Sequence, residues 1–196
     1  MRKYIFVFGI ATLLTLTACY DDNSPTFGNS YEPKICEGEI EEMMVNVSFG
    51  YFHQPEHLIS ASDYIIHGQS LNSRTEVVED NFEWRAVITI QQIEVTQVLK
   101  GNIEIGDIIE IQQGGGTYGC FRYSVSPSPL IFDENETYLL FLSSWDETIY
   151  LTTLYQSVNM IPDGDTSKME FSFHTGDNTM LYLTYDNLIE LIGADE

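Results

Sequence analysis

The chain has 196 residues, with 30 Asp and Glu against 8 Lys and Arg, giving a formal net charge of −22. That balance argues against binding nucleic acid, which needs clustered Lys and Arg, and against adsorption onto anionic lipid headgroups. A surface this acidic keeps a domain soluble and attracts cations.

The N-terminus reads as an address. Arg2 and Lys3 precede an apolar run that is too short and wrongly flanked for a membrane span. The run ends in Leu16-Thr17-Ala18-Cys19, which resembles a bacterial lipobox. The resemblance implies a lipoprotein signal peptide over residues 1–18, diacylglyceryl transfer to the Cys19 sulfur, cleavage before it, and acylation (palmitate or a similar chain) of the new amino group. Two or more long acyl chains anchor a protein stably. The expected location is therefore the bacterial cell envelope, outside the cytoplasm, tethered to a membrane without spanning it. Losing the leader removes two basic residues and no acidic one, so the net charge becomes −24.

Residues 19–35 are rich in Asp, Asn, Ser, Pro and Gly and read as a lipidated terminus with a flexible acidic spacer. Residues 36–196 are long enough for one domain with a real core. With Cys19 taken by lipid, Cys36 and Cys120 remain, and in an exported chain they are expected to form a disulfide.

The first predicted element is a short helix opening at Pro55, a residue suited to the first helical position. "DYIIHGQSL" follows as a strand ending near Asn72-Ser73, and the polar residues 75–83 read as a loop. In "EWRAVITIQQIEVTQVLKG" the apolar residues occupy even positions at Trp84, Ala86, Ile88 and Ile90, then odd ones at Ile93, Val95 and Leu99. A phase change at Gln91-Gln92 predicts a bulge there and a long strand that bends to serve both halves of a small barrel. "NIEI" and "DIIEIQQ" read as strands around a turn at Gly106-Asp107. "ETYLLFLSS", apolar on both faces, reads as a central strand. "TIYLTTLY", "KMEFSFH" and "MLYLTY" follow as strands, and "YDNLIELIG" as a closing helix whose Leu188, Ile189 and Ile192 cover an open end of the sheet. The fold expected is mainly β: a small OB-like antiparallel barrel, a short helix before its first strand and a short C-terminal helix.

The order helix, "SDYIIHGQ", polar loop, long strand, "GDIIEI" resembles the netrin-like domain of the tissue inhibitors of metalloproteinases over residues 55–145. Its most recognisable segments are Ser62 to Gly68 and Val98 to Gly101. The resemblance implies an OB-type barrel. It departs at the N-terminus: the animal inhibitors chelate the protease zinc with a free N-terminal Cys-x-Cys segment, whereas Cys19 here is followed by Tyr-Asp-Asp and would carry lipid. Zinc-protease inhibition is not implied.

"IQQGGGTYGC" poses a choice between a phosphate loop and a corner. A phosphate loop needs Lys and Ser or Thr after the glycines and a helix following a parallel strand, none of which this pattern supplies. The glycines are expected to permit positive φ at a barrel-mouth loop and to bring Cys120 to Cys36. Gln113, Gly114, Gly115, Gly116, Thr117 and Tyr118, with residues 75–83, are the expected binding region.

His53-x-x-Glu56-His57 has zinc-peptidase spacing, but Pro55 is expected to start the helix after His53 and spoil the shared face. Asp163, Asp165, Ser167 and Glu170 are spaced partly like a calcium loop, with Lys168 where glycine is needed. A turn is the favoured reading there. His53, His57, Asp163 and Asp165 are thus weak metal candidates, and no metal or other cofactor is implied. No serine-hydrolase motif or distinguished carboxylate pair is present. The function expected is a non-enzymatic, membrane-anchored binding module for an extracytoplasmic protein, peptide or glycan. The alternatives are an envelope metal-dependent hydrolase using His53, Glu56 and His57, and a calcium-stabilised adhesion module.

Overall fold

The computed structural model describes residues 36, 38–46, 51–79, 85–126, 130–154, 156–174 and 179–194. The leader, Cys19, the spacer and Trp84 lie outside the described residues. In chain order the elements are β1 (Glu41–Asn46), α1 (Pro55–Ala61), β2 (Tyr64–Glu79), β3 (Arg85–Lys100), β4 (Ile108–Gly114), β5 (Gly116–Tyr118) and β6 (Phe121–Ser126). There follow β7 (Thr137–Trp145), β8 (Thr148–Leu151), β9 (Val158–Met160), two short 3-10 turns, β10 (Glu170–His174), β11 (Met180–Thr184) and α2 (Tyr185–Ala194). Pro55 occupies the start of α1, where its missing N–H is not needed.

Five strands close on themselves. The order runs β2-β3-β4-β8-β7, and β7 pairs back onto β2 from Tyr64↔Leu142 to Gln69↔Thr137. Every junction is antiparallel except β4–β8, a short parallel seam at Ile111↔Ile149 and Gln112↔Tyr150. This is a small OB-like barrel, with α1 before its first strand and α2 at the C-terminal end. Its interior is filled by Ile66, Ile93, Val95, Ile109, Ile111, Tyr138, Leu140 and Leu142, with Phe132.

A second core lies outside the barrel wall. Ile65, Leu139 and Phe141 point away from the interior and pack with Leu58 and Ile59 of α1, Ile161, and Leu188 and Ile192 of α2. Met169, Phe171 and Phe173, the alternating side chains of and before β10, join them. β7 is therefore apolar throughout because both of its faces are covered. α2 was expected to cap an open end of the sheet; it lies instead against the outside of the β2–β7 wall, where Ile65, Leu139 and Phe141 need cover. Burying each such side chain contributes about 1.5–3 kcal/mol.

β1 pairs in parallel with β6, which pairs with β5 in a separate three-stranded sheet. The disulfide Cys36–Cys120, with Cα atoms 4.8 Å apart, and the bond from Glu41 N–H to Cys120 O (2.8 Å) fasten the start of β1 to the start of β6.

Four local expectations are corrected. The bulge predicted on β3 at Gln91-Gln92 is absent there: β3 and β4 keep an unbroken register from Ile88↔Gly114 to Glu94↔Ile108. The extra residue sits on β2, where Ser70 to Ser73 spans the same length as Ile93 to Gln91. Further irregularities fall between Ile65 and Ile66 and between His67 and Gly68. The sequence pattern misleads because β3 buries Val87, Gln91, Ile93 and Val95 on one face and Ile90 on the other. Residues 75–79, expected as loop, extend β2 and pair with β3 as far as Glu79↔Arg85. Residues 102–105, expected as strand, are irregular; Ile105 is 70% exposed, while Ile103 packs against the barrel interior. Of "TIYLTTLY", Thr148–Leu151 is strand and 152–154 are irregular, while Tyr155 lies outside the described residues.

Gly68 allows the wall to pack this tightly. A Cβ there would fall 2.2 Å from Ile93 Cγ2 and 3.4 Å from Leu140 Cδ1. Gly68→Ala is expected to cost about 1–3 kcal/mol by overpacking, read as a lower denaturation midpoint at unchanged slope.

Candidate functional site at the barrel mouth

The three glycines make a corner. Gly115 and Gly116 have φ of 107° and 146°, and Gly119 turns the chain at 57°. A Cβ on Gly116 would meet Thr75 Cγ2, Thr89 Oγ1 and Val87 Cγ1 at 2.9–3.1 Å, so β5 passes close over the β2–β3 ribbon. Thr89 Oγ1 donates to Gly115 O at 2.7 Å and fixes the turn. Cys120 follows directly and reaches Cys36.

Of the expected binding residues, Gln113 is committed elsewhere. Its Oε1 accepts from Leu130 N–H at 2.9 Å and its Nε2 donates to Leu130 O at 3.2 Å, as a neighbouring strand would. Thr117 Oγ1 accepts from Arg122 Nε at 3.4 Å. Gly114 and Gly116 are backbone spacers, and Tyr118 is half-buried beside the Gly119 turn.

A concave feature lies one strand away, where the β2 bulge opens the ladder. A cleft of about 270 Å³ is lined by Ser70, Leu71, Asn72, Ser73, Gln91, Phe132 and Glu134. Gln91, only 3% exposed, forms its floor. Gln91 Nε2 donates to Ser70 Oγ (3.0 Å), Asn72 O (2.9 Å) and Gln92 O (3.2 Å), which holds the bulge in shape. Among the described residues no donor reaches Gln91 Oε1, and no sealed side-chain oxygen or nitrogen lacks a partner; this carbonyl is therefore the open end of the amide. Ser70 Oγ accepts from Gln91 and keeps its own hydrogen to donate.

The opposite rim is equally fixed. Asn135 N–H donates to Ser70 O at 2.8 Å, Ser70 N–H donates to Glu136 O at 2.9 Å, and Gln69 Nε2 donates to Asn135 O at 3.1 Å. Asn135 adopts φ 66°, a left-handed conformation that Asn tolerates better than most residues and that presents Glu134 beside the cleft. Phe132 forms the apolar wall and meets Tyr138 edge-on at 5.0 Å. Tyr138 OH in turn accepts from Asp133 N–H at 2.8 Å. Of these groups the sequence flagged only the glutamine pair, and for the wrong reason. A polar amide inside an apolar strand was the available signal.

The other candidates do not assemble. α1 begins at Pro55, so His53 precedes the helix and shares no helical face with His57. Asp165 caps the second 3-10 turn, accepting from Ser167 N–H (3.1 Å) and Ser167 Oγ (2.6 Å). Lys168 Nζ lies 3.4 Å from both Asp163 and Asp165, so these carboxylates already have a cation beside them. Among the described residues no group of three or more His, Cys, Asp or Glu is arranged to hold a metal. Residues 75–79 of the other expected binding segment are strand, and 80–83 lie outside the described residues.

Two polar constellations were not foreseen. Across the outside of β2, β3 and β4, Arg74 makes a two-point contact with Glu110 (2.6 and 2.8 Å) and bonds Glu76 at 2.7 Å. Hydrogen bonding from Arg74 and Gln92 holds the Glu110 carboxyl down at about 2. Because both partners are substantially exposed, the pair stabilises by no more than about 1 kcal/mol. On the opposite wall, buried His67 meets the Tyr185 hydroxyl at 2.9 Å through Nε2.

No family model matches the sequence, and no curated protein matches it significantly. Among the described residues no helix is long and apolar enough to cross a membrane.

Desolvation pushes the His67 pKa below its ordinary 6.5. The unfolded chain therefore binds this proton more readily than the folded one, so the stability held by neutral His67 is complete above about pH 6.5 and declines on acidification. Urea midpoints measured from pH 7.5 to 5 should fall, and His67→Gln, which keeps a hydrogen-bonding group, should flatten the part of that slope due to His67.

Proposed function

We propose that the protein is a lipid-anchored, extracytoplasmic binding module with a netrin-like domain, and that it captures its ligand at the mouth of the barrel. The observation that carries this reading is the cleft at the β2 bulge, where the open carbonyl of buried Gln91 faces space between two hydrogen-bonded rims. Barrel mouths are frequent binding sites because strands fix the walls while loops vary the rim. The lipobox at Leu16–Cys19, the spacer and the strong negative charge support a domain held off a bilayer and kept soluble. The departure from the zinc-chelating terminus of the animal inhibitors separates this proposal from protease inhibition.

Two measurements test the proposal. Radiolabelled palmitate fed to cells should be incorporated into the protein and lost in Cys19→Ser; an unlabelled wild-type protein would remove the anchor. For the binding site, the side-chain amide signals of Gln91 in labelled full-length protein should shift saturably with some member of a panel of sugars, small amines and short peptides. Gln156, a buried amide paired with Phe52, should stay fixed. If no member of the panel moves Gln91, the mouth is not the binding site.

A further inference from the structure

We infer that the barrel mouth takes one pyranose ring, neutral or amine-bearing but not acidic; this inference rests on the binding reading above. The lining alternates acceptors and donors at close intervals. Gln91 Oε1 is an acceptor at the floor, and Ser70, only 1% exposed, lies behind it and accepts from the amide nitrogen. Asn72 and Ser73 are exposed on the β2 side, each able to donate and accept. Glu134 supplies an acceptor on the facing rim, and Phe132 an apolar wall. A pyranose presents the complementary pattern: hydroxyls that both donate and accept around its edge, and C–H groups that can meet the small part of Phe132 left uncovered at the cleft.

Size and charge narrow the class. A cleft of about 270 Å³ falls just under the roughly 300–1,000 Å³ of sites for drug-sized ligands, which suits one ring and not an extended chain. Among its lining residues Glu134 alone is charged, and the chain carries −22 overall. A carboxylate or phosphate ligand would therefore be repelled, while an amino group would gain from Glu134. A long apolar ligand would leave the Gln91 carbonyl without a partner, at a cost of desolvation. The rims are pinned by the Ser70–Asn135–Glu136 bonds, so the groups are ordered before the ligand arrives and little is lost in arranging them.

The test uses labelled full-length protein in mild detergent, with glucose, galactose, mannose, N-acetylglucosamine and glucosamine as probes and glucuronate as the charge control. At least one of the five should shift the Gln91 side-chain amide saturably in the millimolar range, the strength expected for a ligand of about a dozen heavy atoms in an open cleft. Glucuronate should bind at least tenfold more weakly than glucose. Ser73→Phe, a change at an exposed position that fills the cleft, should weaken binding at least tenfold with an unchanged melting temperature. Glu134→Gln should weaken glucosamine more than glucose. If none of the five sugars shifts Gln91 while a small amine or short peptide does, the sugar assignment is overturned and the binding reading stands. If no probe of any class shifts it, both fall. Sugar binding that survives Ser73→Phe places the sugar elsewhere and also overturns the inference.

Discussion

The fold depends on a wall with two wet-averse faces. β2 and β7 pair from Tyr64 to Gln69, and their side chains alternate between the barrel interior and the layer built by α1, α2 and the β10–β11 hairpin. Leu140 and Leu142 look inward while Leu139 and Phe141 look outward, and all four are essentially inaccessible. Neither core is complete without the other, since each supplies the cover that makes the shared strands stable. Gly68 sits in this wall because any side chain there would push Ile93 out of the interior.

Polar amides finish what the strands leave open. Gln113 pairs with both backbone groups of Leu130, and Gln156 does the same with Phe52, so two segments without strand partners are fixed by side chains that imitate a strand edge. Gln91 performs a related task at the bulge but spends only its nitrogen. That asymmetry distinguishes it from the other two: a closed amide holds structure, whereas an amide with one end open holds structure and still has an acceptor to offer.

Much of the architecture was legible in the sequence because it follows from period-two burial and turn chemistry. Met169, Phe171 and Phe173 announced β10, Pro55 announced α1, and the apolar run of β7 announced a strand covered on both faces. The disulfide followed from the number of cysteines, with Cys19 assigned to lipid and export taken as an expectation. The bulge was misplaced because periodicity sees only one strand at a time, and the extra residue belongs to the partner. The cleft was not legible because Ser70, Gln91 and Glu134 come together only once β2, β3 and the segment before β7 have paired. The acidic stretch 75–79 looked like loop, since its pairing with β3 is driven by the backbone ladder and not by side-chain alternation.

The disulfide has a mechanical consequence. Tension applied to the chain ahead of Cys36 arrives at the Cys36–Cys120 link before it can act on β1, and from there it enters β6 at its first residue. β1, held to β6 by a parallel ladder and by the bond from Ser124 Oγ to Glu42 Oε1, is thereby excluded from the load path. A domain pulled from its N-terminal end would in this way be suspended by a covalent strap, with β1 bearing none of the pull.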